Sequence, residues 1–115
     1  MEFEVRAVAR HIRMSPQKMR LVIDQVRGKH ASEALSLLKF MPQRAAKPVY
    51  KVIASAVANA EENFGMNRDD LYIDRIYADG GPVRRWRRFG ARGRFKPVLK
   101  RTSHITVVLK EYEEQ

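Results

Sequence analysis

The sequence contains no cysteine, which excludes disulfides and thiolate metal ligands and fits a reducing compartment. No apolar run approaches the roughly 18 residues of a membrane-spanning helix. The opening "MEFEVRAVAR" alternates charge with small apolar groups and lacks the uninterrupted apolar segment of a secretory leader, so the expected location is the cytoplasm. The most informative absence is acidic. Between residues 80 and 110 there is no Asp or Glu, yet that span holds ten of the 23 Lys and Arg. The other thirteen basic residues balance all thirteen acidic ones. One contiguous segment therefore carries the whole net charge of +10. A surface built only for solubility mixes signs; separation on this scale points to a polyanionic partner.

What is present suits a single small domain, 1–115, with 44% apolar residues and a real but shallow core. "EFEVRAVARHIRM" reads as a strand, with Phe3, Val5, Ala7 and Ala9 on one face and Glu4, Arg6 and Arg10 on the other. "SPQKMRLVIDQVRG" reads as a helix: Ser15 suits the N-cap, Pro16 the first helical position and Gly28 the left-handed position past the end. Met19, Val22, Ile23 and Val26 share its apolar face. A second, short helix over 31–40 buries Ala34, Leu35, Leu38 and Met41 before Pro42 stops it. A third, over 44–64, places Ala45, Val49, Val52, Ile53, Ala56, Val57 and Ala60 at helical spacing, with Pro48 tolerable only near its start. "LYIDRIYA" and "SHITVVLKEY" alternate as strands, with Ile105, Val107 and Leu109 on one face of the latter. The order implies an α+β fold with the helices on one face of an antiparallel sheet.

Between those last two strands lies "RRWRRFGARGRFK", in which Arg84, Arg85, Arg87, Arg88, Arg92, Arg94 and Lys96 fall within thirteen positions. An ordinary sheet strand here would have to bury one face. Both faces carry two arginines, so either choice buries unpaired guanidinium groups. The alternative, which we prefer, is a two-stranded arm over residues 80–101 that outgrows a body formed by 1–79 and 102–112. Its tip falls near Gly90, Ala91, Arg92 and Gly93, roughly 30–35 Å from the bend at about 3.3 Å per residue. Gly80 and Gly81 mark the bend. An isolated ribbon is marginally stable in water, and arginine repulsion loosens it, so counter-charge must order it. Guanidinium groups pair bidentately with phosphate and stack on bases. Trp86, Phe89 and Phe95 either stack on unpaired bases or pack across the ribbon.

Arg10, Arg13, Lys18 and Arg20 flank the start of the first helix, where backbone donors attract phosphate; each is either an anion contact or part of a solvated face. No catalytic or metal site is expected. His11, His30 and His104 lie far apart without Cys or paired carboxylates at ligand spacing. Asp69-Asp70 and Glu61-Glu62 are sequence neighbours, which do not face each other as an acid/base couple requires. Asp70 reads as turn chemistry, and His104 as a hydrogen-bonding member of the last strand or an RNA contact.

Three blocks, "RHIRMSPQKMRLVIDQVRGK", "SAVANAEENFGM" and "GARGRFKPVLKRTSHITVVL", occur in order. On these residues the chain resembles the bacterial and organellar large-ribosomal-subunit protein L-twenty-two family, from about residue 5 to 109. The last block is the most specific: a basic hairpin, "ARGR", nine residues, then "HITVVL". The resemblance implies a non-enzyme without cofactors: three helices packed on a small three-stranded antiparallel sheet, with a long protruding basic β-hairpin. It implies a place in the large subunit of a cytoplasmic or organellar ribosome, beside neighbouring ribosomal proteins, and a part in assembly. The hairpin would thread through large-subunit ribosomal RNA, with its tip lining the nascent-peptide exit tunnel, where changes can alter macrolide sensitivity.

Carried onto this chain, the RNA-threading stems hold Arg84, Arg85, Trp86 and Arg87 on one side, and Lys96, Lys100 and Arg101 on the other. The tunnel-lining tip is Arg88, Phe89, Gly90, Ala91, Arg92, Gly93 and Arg94, whose arginines also contact RNA. Arg10, Arg13, Lys18 and Arg20 become a second RNA contact. Gly90 departs from the Arg or His that usually precedes "ARGR", and "RRWRRF" is bulkier and more basic than usual. Two other classes fit less well. A DNA-bending arm needs an apolar wedge, for which only Phe89 is available at the tip. A membrane-active protein needs a basic amphipathic helix, whereas these charges sit in strand-like sequence.

Overall fold

Alternation and helical spacing translate directly into elements. The computed structural model describes residues 4–81, 84–89 and 95–111, and over 84–89 and 95–100 it describes the backbone alone. Strand β1 (Glu4–Ile12) is followed by α1 (Pro16–Val26), α2 (Ala31–Lys39) and α3 (Ala46–Phe64). A single 3₁₀ turn (Arg68–Asp70) leads into β2 (Leu71–Gly80), and then come β3 (Arg84–Phe89), β4 (Phe95–Lys100) and β5 (Ser103–Glu111). Gly28 and Gly65 take positive φ (+80° and +63°) where α1 and α3 end. A side chain is strained in that conformation and glycine is not. Pro48 is the third residue of α3, where its missing N–H removes no intrahelical bond.

β1, β5 and β2 form a three-stranded antiparallel sheet in that order, as expected, with the helices on one face. Val5, Ile73, Ile76, Ala78, Ile105, Val107 and Leu109 point from the sheet into the core. Met19, Val22, Ile23 and Val26 meet them from α1, Ala34 and Leu38 from α2, and the predicted stripe from α3. Full burial of one such aliphatic side chain stabilises by roughly 1.5–3 kcal/mol. Ala56 and Ala60 are fully buried, so α3 lies close over the sheet. α3 packs on β1 and β5, and α1 on β2.

Several details differ from the sequence reading. α3 begins at Ala46 rather than 44, and Leu35 and Met41 are half-buried rather than core. Ser15 occupies the N-cap of α1 in extended conformation, but its hydroxyl makes no capping bond. β5 does not alternate between buried and exposed. Thr106 and Val108 are also nearly inaccessible, because the central strand is flanked on both sides. β2 runs on to Gly80, and Gly81 N–H donates to Thr102 O at 2.9 Å, so pairing continues into the glycine pair. Phe3 lies outside the described residues.

β3 and β4 pair antiparallel with each other and with no other strand among the described residues. The molecule measures 68 × 27 × 21 Å, and its radius of gyration of 17.5 Å exceeds the roughly 13 Å of a compact chain of about this length.

Candidate nucleic-acid interface

The ribbon's register is electrostatically unfavourable by itself. Arg84 stands opposite Lys100, and Arg88 opposite Lys96. Like charges directly across a strand pair destabilise it. Trp86 is opposite Val98, Phe89 opposite Phe95, and Arg87 opposite Pro97. Pro97 is admissible because each strand of an isolated ribbon has an open edge. Residues 90–94, the expected tip with Gly90, Ala91, Arg92, Gly93 and Arg94, lie outside the described residues. Arg101, just past β4, is exposed.

The root of the ribbon is built by contacts between elements distant in sequence. Ser103 Oγ donates to Met14 O at 2.6 Å, holding the β1–α1 loop against the start of β5. Pro16, the first residue of α1, lies beside Gly80. A Cβ on Gly81 would collide with Thr102 Oγ1 and meet the His104 ring at 3.2–3.3 Å. His11 N–H donates to His104 Nδ1 across the β1–β5 boundary, so His104 bonds to a neighbouring strand rather than within its own. None of this interlock has a local sequence signature; it depends on strand pairing.

That geometry brings the two expected contact regions together. Arg10 on β1, Arg13 in the following loop and Lys18 in the first turn of α1 are exposed beside the ribbon's root, with no ion pair among the described residues. No acidic residue occupies the first turn of α1. Arg20 is different. Its Nε and Nη2 both donate to Ala78 O, at 3.2 and 2.9 Å, and Arg27 Nη2 donates to Ile76 O at 3.0 Å. β2 is an edge strand, and these two guanidinium groups occupy carbonyls on its outer side. Further along, Gly28 N–H donates to Ile73 O, and Ile73 N–H to Lys29 O, covering the rest of the edge. The periodicity of α1 gave no sign that Arg20 and Arg27, one heptad apart, face the sheet edge.

Elsewhere the ionisable groups are structural or solvated. Glu4, Asp74, Arg75 and Lys110 form an ion-pair quartet at one end of the sheet, with Arg75 Nη2 shared between the two carboxylate oxygens of Glu4 at 2.9–3.0 Å. Asn67 Oδ1 accepts from Asp69 N–H, so the Asp69-Asp70 pair belongs to a turn. Among the described residues no group of three His, Asp or Glu could hold a metal, and no helix is long and apolar enough to cross a membrane.

Comparison with known proteins gives the family of the chain. Residues 7–110 match the family described as ribosomal protein L22p/L17e. The chain is 54% identical over 110 residues to the large ribosomal subunit protein uL22 of Thermoanaerobacter sp. (strain X514), covering 96% of this chain and 99% of the relative. The protein of the same name from Synechococcus sp. (strain JA-2-3B'a(2-13)) is 55% identical over 111 residues, covering 96% and 90%. That of Clostridium novyi (strain NT) is 51% identical over 108 residues, covering 94% and 97%. These relatives are named as ribosomal subunit proteins and not as enzymes. With a family match across nearly its whole length, behind a basic ribbon rooted in a three-helix, three-stranded body, this chain belongs to the ribosomal protein L22p/L17e family.

Proposed function

We propose that the chain is a structural constituent of the large ribosomal subunit, working by charge neutralisation and positioning rather than by chemistry. The observation that carries the reading is the ribbon register, which sets Arg84 against Lys100 and Arg88 against Lys96 in a strand pair that, among the described residues, has no other strand to lean on. Such a pair gains order when phosphate surrounds it. In this reading Arg84, Arg85, Arg87, Lys96, Lys100 and Arg101 neutralise large-subunit ribosomal RNA, while Trp86 contributes stacking. Arg10, Arg13 and Lys18 extend the same contact around the root. Arg88 through Arg94 reach the passage of the nascent peptide. Phosphate contacts supply most of the affinity, and shape with stacking supplies specificity.

The test is equilibrium binding to deproteinised large-subunit ribosomal RNA across a salt series, with duplex DNA as competitor. Neutralising about six phosphates gives a log–log slope of roughly −4 to −5. RNA should resist competition by an equal mass of duplex DNA. A slope near zero, or equal competition by DNA, defeats the proposal.

A further inference from the structure

His104 alternates out of the core between the buried residues Ser103 and Ile105, and its ring is flanked by three elements. On β1, His11 N–H approaches its Nδ1 at 3.1 Å. At the ribbon's root, the bare Gly81 leaves the ring its room: a Cβ there would lie 3.2 Å from Cε1 and 3.3 Å from Nε2. On β2, Asp79 is its register partner. Directly opposed residues hold their Cβ atoms about 4.5–5.5 Å apart, which brings the Asp79 carboxylate within reach of the ring once the ring turns. Asp79 is exposed and makes no hydrogen bond or ion pair among the described residues.

The bond from His11 dictates the state of the ring. A backbone N–H can only donate, so Nδ1 must offer its lone pair, and the neutral ring carries its proton on Nε2. Protonation puts a second N–H on Nδ1, donor against donor, and the bond is lost. The imidazolium has two donors and no acceptor, and the unengaged acceptor that register offers is the Asp79 carboxylate. Histidine is the side chain that changes charge between about pH 5 and 8, so both states are open to experiment.

We infer that His104 is a protonation switch at the ribbon's root: the neutral ring bonds to β1 through His11 N–H, and the charged ring leaves it for Asp79 on β2. The switch exchanges the partner strand of one residue of β5. In the charged state His11 loses its bond at the point where the β1–β5 register is already interrupted. Gly81, whose N–H donates to Thr102 O, loses the ring beside it. The bulge in β1 and the first residue beyond β2 therefore report one event. The charges around the ring set its balance. Asp79 favours the imidazolium. Against it stand the His11 ring when protonated, Arg10 beside it in the interrupted register, and the exposed Arg13 and Arg101 of the adjoining loops. The helices pack on the opposite face of the sheet. The inference uses bonding geometry at the root and does not rest on the RNA-binding reading.

The test is an NMR titration of the ¹⁵N-labelled full chain from about pH 8.5 down to about pH 5. At the alkaline end the ring nitrogens of His104 should show the Nε2–H tautomer. On acidification the amides of His11 and Gly81 should shift with the same midpoint as the His104 ring. The amide at position 11 should do so in His11→Asn as well, which keeps the backbone donor and removes the titrating ring. Asp79→Ala should move the shared midpoint down by roughly 0.5–1 pH unit, the effect of one partly screened opposite charge. His104→Phe should abolish the transition at Gly81. An Nδ1–H tautomer at the alkaline end overturns the inference. So do amides at 11 and 81 that stay still while His104 titrates, or a midpoint unmoved in Asp79→Ala. The wild-type tautomer and titration decide the matter even where His104→Phe unfolds.

Discussion

The backbone N–H of His11 donates to Nδ1 of His104 at 3.1 Å, and the two rings meet edge to face with centroids 4.9 Å apart. This pairing joins β1 to β5 where their regular register is interrupted, between Ala9 and Ile12. His11 sits there at φ +57°, the one described non-glycine residue with positive φ. Histidine, with Asn and Asp, is among the side chains that tolerate this region; a β-branched residue does not. The bulge turns the chain toward the loop that Ser103 holds by Met14 O. A local backbone distortion in β1 thus sits beside the start of β5, one of the two strands from which the ribbon leaves the body.

His11→Val should therefore cost about 1–2 kcal/mol, the penalty of a β-branched residue in left-handed backbone. His11→Asn should stay within about 0.5 kcal/mol, since Asn accepts this conformation and the backbone donor to His104 survives. Urea melts of the two variants check the contrast. Equal losses would mean that the ring contact, rather than the backbone, sets the cost.

Gly81→Ala should destabilise through overpacking. The added methyl collides with Thr102 Oγ1 and presses on the His104 ring, which His11 already fixes. Overpacking of this kind costs typically 1–3 kcal/mol. In a domain of this size each kcal/mol lowers Tm by roughly 4 °C or a little more. Calorimetry on the variant gives the number, and Gly80→Ala serves as control, because a Cβ there meets only Pro16 at 3.9 Å, an ordinary contact.

Arg20 and Arg13 should separate stability from binding. Arg20 donates twice to Ala78 O on the edge of β2, so Arg20→Met should lower stability by about 1 kcal/mol while leaving the salt slope of RNA binding unchanged. Arg13 is exposed, with no hydrogen bond or ion pair among the described residues. Arg13→Gln should do the reverse, leaving Tm intact and making the slope shallower by about 0.7–0.9. Measured together, the two variants show whether the cationic cluster around α1 acts as one surface.

That division also marks how far the sequence could be read. Period-two and period-3.6 patterns identify every body element, because the apolar residues that define them, such as Ile23, Ile53 and Ile105, are those the core buries. Charge segregation identifies the ribbon for the opposite reason: it cannot enter a core. What stayed hidden are bonds between polar groups brought together by pairing. Arg20 is indistinguishable from Lys18 until β2 lies beside α1, and the His11–His104 contact spans 93 residues. Thr106 and Val108 fall on the outward face of an alternating strand, and only the order β1-β5-β2 makes that strand central. Arg6 and Tyr77 become neighbours of one face through the same order.

Replacing residues 84–96 by a short turn should leave a body that still melts cooperatively. Every described core residue lies outside 82–100, and β3 pairs with β4 alone among the described strands. β2 and β5 remain joined at Gly80 and Ser103, with the Gly81–Thr102 bond beyond, so a short connection spans their ends. Roughly halving the closed loop lowers its entropic cost by about 0.6 kcal/mol, as (3/2)RT ln n, and it also removes the like-charge pairs Arg84/Lys100 and Arg88/Lys96. Tm should consequently hold or rise by a few degrees, while the salt slope on ribosomal RNA falls to the part owed to Arg10, Arg13, Lys18 and the retained Lys100 and Arg101. A broad, non-cooperative melt would show that the ribbon supports the body, and that its arginines serve the fold as well as RNA.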